Sequence, residues 1–187
     1  MKTGRLFRAV VIALGMALAT TMATAQLNSG AQTIALNATL AESLTLSLSA
    51  NAVNFTLAAG SAANAGSTSI TATTTWVLRP GRTAVGVYAY FANAGAALTD
   101  GVGDNIPSSA FFIADNVNPS TALTSATPFN AAGAGLQLAN VAIIGTNKSA
   151  SRTDLMAFNI NLSGGTLPQL PAATYTGTLN IQAQATP

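Results

Sequence analysis

The sequence predicts an all-β fold: an immunoglobulin-like antiparallel β-sandwich of about seven to nine strands in one domain. Three observations predict it. Apolar and polar residues alternate over short runs along most of the chain, the mark of a strand with one buried and one wet face. Clusters of Gly, Pro, Asn, Asp and Ser separate those runs. After residue 25, no segment carries the capped, 3.6-residue pattern of an amphipathic helix.

The first segment stands apart. "MKTGRLFRAVVIALGMALATTMATAQ" places Lys2, Arg5 and Arg8 before an apolar run and ends it in Ala23-Thr24-Ala25. Basic, apolar and small-x-small regions in that order predict a secretory signal peptide over residues 1–25, with residues 26–187 as the domain. The apolar run is shorter than the roughly 20 residues a membrane span needs. The expected location is therefore periplasmic, extracellular or cell-surface, with no stable membrane insertion after processing.

The strands follow in order. Thr33–Leu40 alternates through Ile34, Leu36, Ala38 and Leu40, Ser43–Ser49 through Leu44, Leu46 and Leu48, and Val53–Leu57 through Phe55. Thr68–Leu78 and Ala84–Phe91 flank "RPGR", where Pro80 pre-sets φ and Gly81 accepts a positive one, so the unit reads as a hairpin. Trp76 shares the parity of Ile70 and Leu78 and is expected in the core. Tyr88 and Tyr90 fall on the parity opposite Val85 and Val87, either tucked with hydroxyls at the rim or forming an exposed stripe. Two turn-rich stretches bracket a short strand at Ala110–Ala114. Leu136–Ile144 and Leu155–Leu162 are further strands, and Tyr175–Ala183 is the last, with Tyr175, Leu179 and Ile181 on its buried parity.

Composition narrows the function. Of 187 residues, 49% are hydrophobic and only 6% charged, so surface polarity rests on Ser, Thr, Asn and Gln. Without residues 1–25, four basic side chains (Arg79, Arg82, Lys148, Arg152) face five acidic ones (Glu42, Asp100, Asp104, Asp115, Asp154), a net charge of −1. No basic patch for nucleic acid remains. His and Cys are absent, which excludes His-dependent triads, thiol nucleophiles, disulfides and His/Cys zinc sites. Asp100, Asp104 and Asn105 sit among glycines, but their spacing is not that of a twelve-residue calcium loop, and a solvated turn is expected. Lys148 beside Ser149 reads as an exposed polar loop rather than a catalytic dyad, and Asp100 with Asp104 lacks the aromatic platform of a glycosidase. No enzyme and no cofactor are expected.

The two ends, "NATLAESLTLSLSANAVNFTL" and "LPAATYTGTLNIQAQA", resemble the ends of spore coat protein U-like domains, secreted sandwiches that also serve as subunits of archaic chaperone–usher pili. The shared pattern is an alternating opening strand, a "VNFT" strand and a Pro-Ala-x-x-Tyr-x-x-Thr-Leu closing strand, over about a third of the chain. The chain departs from the family in lacking a Cys near Leu44 and in ending Thr186-Pro187. The resemblance implies an exported structural or adhesive subunit of a bacterial surface assembly, fimbria-like or coat-like. Its implied partners are other copies of itself or related subunits, joined by strand addition, and an export chaperone. Residues 29–40, "SGAQTIALNATL", with Ile34, Leu36, Ala38 and Leu40, would then be a strand donated to a neighbour. Alternation alone equally fits an ordinary first strand of its own domain. The second function open to the chain is a monomeric binding module for carbohydrate or a surface partner, with Tyr88 and Tyr90 as contacts.

Overall fold

The computed structural model describes residues 27, 29–116 and 118–187. The expected signal peptide lies outside them. The chain divides into two units, residues 1–39 and 40–187. In the first, the described residues form neither strand nor helix, and Leu27, Ile34 and Leu36 are 98%, 85% and 90% exposed. The strand expected over Thr33–Leu40 is therefore not formed. Its alternation fits a pleated, half-buried surface, but a strand needs a hydrogen-bonding neighbour, and among the described residues no ladder includes this segment.

The second unit is all-β, and its only helical turns among the described residues are two 3-10 turns, Ser108–Ala110 and Leu167–Gln169. Among the described residues twelve strands are formed: β1 (Ser43–Leu48), β2 (Asn64–Ala65), β3 (Ile70–Val77), β4 (Ala84–Tyr90), β5 (Leu98–Thr99), β6 (Asn105–Ile106), β7 (Phe111–Ala114), β8 (Thr121–Ala122), β9 (Ser125–Thr127), β10 (Asn130–Ala142), β11 (Ser149–Ile160) and β12 (Asn180–Thr186). That exceeds the expected number because four two-residue strands lie within stretches that read as loops. One sheet runs β1-β3-β11-β7-β8, with β2 also on β11. The other runs β12-β4-β10-β9, and β5 and β6 form a separate hairpin. All pairings are antiparallel.

The hairpin expected over Thr68–Phe91 is corrected. β3 pairs β1 and β11 in one sheet, whereas β4 pairs β10 and β12 in the other. The Arg79-Pro80-Gly81-Arg82 turn is an arch between sheets, with Gly81 at φ 97°. Hydrogen bonds at its two ends show the divergence: Leu78 N–H donates to Lys148 O in the first sheet, and Thr83 N–H to Thr186 O in the second. Both strands still turn the same parity inward, so their alternation is identical in a hairpin and in an arch.

The inner faces meet in two apolar clusters. The larger gathers Ile70, Val87, Ala89, Ile113, Leu138, Met156 and Ile160. The smaller holds Trp76, Leu78, Val85 and Ile143, with the indole N–H donating to Asn147 O at 2.8 Å. Three inward-facing polar residues lie where the clusters part: Thr74, its register partner Arg152, and Asp154. The Asp154 side chain is fully buried, and Arg152 Nε donates to its two oxygens at 2.8 and 3.0 Å. That bond raises the Arg152 pKa above its ordinary value, against an opposing effect of burial. Removing one partner of such a pair leaves a charge in a poorly solvated place. Asp154→Ala is expected to destabilise the unit by about 2–4 kcal/mol, near the low end for buried pairs because Arg152 keeps some solvent contact. Thermal or urea unfolding measures it, and a loss within experimental error of zero would contradict the assignment.

Candidate functional site

The last expected strand forms only in part. β12 begins at Asn180, and over Tyr175–Leu179 the sole ladder contact is the bridge between Thr176 and Thr99. There Thr176 exchanges both backbone bonds with Thr99, each at 2.9 Å. Backbone groups alternate between the two edges of an extended chain, so those of Tyr175, Gly177 and Leu179 face the opposite edge. No described residue pairs with them there. Across the gap lies Ala50–Leu57, the strand expected over Val53–Leu57, which is reduced to a single bridge between Phe55 and Gly66.

Between these two banks is a groove of about 840 Å³. Its floor is the core itself: Phe111, Met156, Phe158 and Ile160, with Val53, Phe55, Leu179 and Ile181 on the banks. Each bank is anchored by a defined contact. Phe55 meets Phe111 edge-on at 5.8 Å, and the Tyr175 hydroxyl donates back to Pro171 O at 2.9 Å. Burial, then the nearby Asp104 and Asp100, raise the Tyr175 pKa. No charged residue lines the groove.

Gly177 sets the rim. A Cβ there would overlap the carbonyl oxygen of Ala97, so only glycine lets the segment entering β5 cross this strand and reach Thr176. The Asp100–Asp104 turn stands just beyond. Asp100 Oδ1 accepts from the N–H groups of Val102, Gly103 and Asp104 at 2.9, 3.1 and 3.0 Å. These bonds, that of Val102 first, hold its carboxyl below the ordinary range. The carboxylate is thus committed to its own turn. Among the described residues no group of three or more Asp, Glu, His or Cys side chains could hold a metal ion.

The sequence-predicted contact residues fall into two sets. Ile34, Leu36, Ala38 and Leu40 are all exposed, the three large ones at 85%, 90% and 84%. Tyr88 and Tyr90 are half-buried on the outer face of the second sheet. Phe129 packs against both, the Gln137 amide donates to the Tyr88 hydroxyl at 3.2 Å, and the Tyr90 hydroxyl donates to Gln182 at 2.8 Å. The rings thus cover one another. Sequence reasoning missed the groove residues Val53, Phe55, Leu179 and Ile181 as a site, although their apolar parity was visible and only their lack of a neighbour was hidden.

Searches against family models, curated proteins and solved structures returned no match to this chain.

Gly177→Ala is expected to break the Thr99–Thr176 bridge. Amide exchange at Thr99 and Thr176 should accelerate and the melting temperature should fall. Unchanged protection at both amides would contradict the close approach assigned to Gly177.

Proposed function

We propose that this chain is an exported, non-enzymatic structural or adhesive subunit of a bacterial surface or extracellular assembly, joined to other copies or related subunits by strand addition. One observation carries the reading. The domain has an apolar groove with an unpaired backbone edge, and the chain also has an exposed, alternating apolar segment that pairs with no described residue. Each lacks what the other offers: an edge for main-chain hydrogen bonds, and side chains at every second position for the floor.

The unpaired edge Tyr175–Leu179 is five residues, about 16 Å when extended at roughly 3.3 Å per residue. The alternating residues 34–40 are long enough to span it. Burying Ile34, Leu36 and Leu40 at about 1.5–3 kcal/mol each gives roughly 5–9 kcal/mol before association costs, enough to favour assembly when the backbone bonds are added. Further support for an immunoglobulin-like sandwich comes from the Tyr175 hydroxyl reaching back four residues, as in the tyrosine corner of such folds. The signal-peptide pattern and the resemblance of both ends to spore coat protein U-like domains favour export and assembly. A monomeric module binding through Tyr88 and Tyr90 is less well supported, since Phe129 and the two glutamines already occupy those side chains.

A synthetic peptide of residues 29–41 added to the full chain is expected to raise its melting temperature and shorten any polymers. It carries no charge, and neither does the groove, so its binding should change little with salt. The peptide with Leu36→Asp should do neither. Absence of polymers in the unaltered chain together with absence of peptide binding would overturn the reading.

A further inference from the structure

We propose that successive copies dock through oppositely charged poles: the basic pole of one copy, carrying Arg79, Arg82 and Lys148, seats against the Asp100–Asp104 loop beside the groove of the next. This rests on the strand-addition reading and adds the surface that orients it.

The charges after residue 25 are few, and their placement is uneven. Arg79 and Arg82 stand at the arch between β3 and β4, and Lys148 lies beside them, its carbonyl accepting from Leu78 N–H at 2.8 Å. Arg82 donates to Glu42 through Nε at 2.8 Å and Nη2 at 3.2 Å, and through Nη1 to Ala185 O at 3.2 Å. Arg79 is the freer of the two, 3.6 Å from Glu42 and 68% exposed. This pole therefore holds three cations and one anion. Asp100 and Asp104 stand at the other end, with Thr99 bridged to Thr176 and exposed Val102 at the tip between two glycines. The remaining charges, Arg152, Asp154 and Asp115, are grouped with one another.

The two patches cannot neutralise each other within one copy. Thr176 to Thr186 is ten steps of extended chain, about 33 Å, and screening at physiological salt acts over about 8 Å. Between copies they can meet. Only Ala41 separates Leu40 from Glu42, whose carboxylate is fixed to the basic pole, so that pole must travel with Leu40. If the donated segment runs antiparallel to Tyr175–Leu179, Leu40 reaches the Tyr175 end and the basic pole arrives at the Asp100–Asp104 loop. The reverse direction would carry Leu40 toward Ile181, away from both aspartates. The charges therefore select the antiparallel direction and steer the encounter, while the apolar segment supplies the affinity.

The test is the assembly rate of the full chain by light scattering. Raising ionic strength from about 0.01 M to about 0.15 M should slow it several-fold. The double variant Arg79→Glu/Lys148→Glu should assemble about three- to tenfold more slowly at low salt. Adding Val102→Lys/Asp104→Lys to that chain reverses both patches and should restore the rate to within about twofold. Peptide 29–41 should bind all these chains alike, which shows that the groove is intact. Normal peptide binding with charge- and salt-independent assembly would overturn this proposal alone. No assembly and no peptide binding by the unaltered chain would overturn the strand-addition reading and this proposal with it.

Discussion

An unpaired strand edge above an apolar floor is the constraint on which the rest of this domain depends. Backbone N–H and C=O groups at Tyr175, Gly177 and Leu179 have no ladder, and beneath them lie Met156, Phe158 and Ile160 of the core. Elsewhere the two sheets close in the usual way, with long strands such as β10 and β11 at their centres. The open position is bounded on purpose-built terms. Gly177 admits the chain crossing from Ala97, and the Tyr175 hydroxyl ties its strand to Pro171. These contacts border the groove without filling it. Exposed edges of this kind are normally blunted by charge, proline or a bulge along the strand. None interrupts Tyr175–Thr186.

The scarcity of charge has a parallel logic. A groove and a segment without charged side chains can come together without the desolvation cost of buried ions. The few charges after residue 25 lie outside that contact, at the two ends of the domain or in the group of Arg152, Asp154 and Asp115. That pair sits where the apolar clusters part, beside Thr74, whose hydroxyl is buried without a hydrogen-bond partner among the described residues. Interior polarity thus tolerates one unsatisfied group there, which supports the view that this seam is less tightly specified than the clusters on either side.

Much of the strand content was legible because alternation is a local signal. β1, β3 and β4 lie where periodicity placed them, β11 starts at Ser149, six residues before the expected Leu155, and Trp76 is buried as its parity required. Partnership was not legible. The same alternation describes a hairpin and an arch, so β3 and β4 read as neighbours although they belong to different sheets. It likewise describes a paired and an unpaired strand, which is why Thr33–Leu40 and Tyr175–Leu179 read as ordinary strands. The two-residue strands β5, β6 and β8 are too short to carry any period. The groove was invisible for the same reason, since it is defined by a neighbour that the chain does not supply in sequence order.

The single indole has an optical consequence. Trp76 is 2% exposed in the smaller cluster, at the end of the domain that carries Arg82 and Lys148, and its N–H is committed to Asn147. Its emission should be blue-shifted, and it senses the packing of that end alone. The tyrosine ring that lines the groove lies at the opposite end of β12. A fluorescence trace excited at the indole would therefore follow loss of the folded domain while staying silent as a strand enters or leaves the groove. The indole is thus an internal reporter of one end of the domain, and the Tyr175 ring of the other.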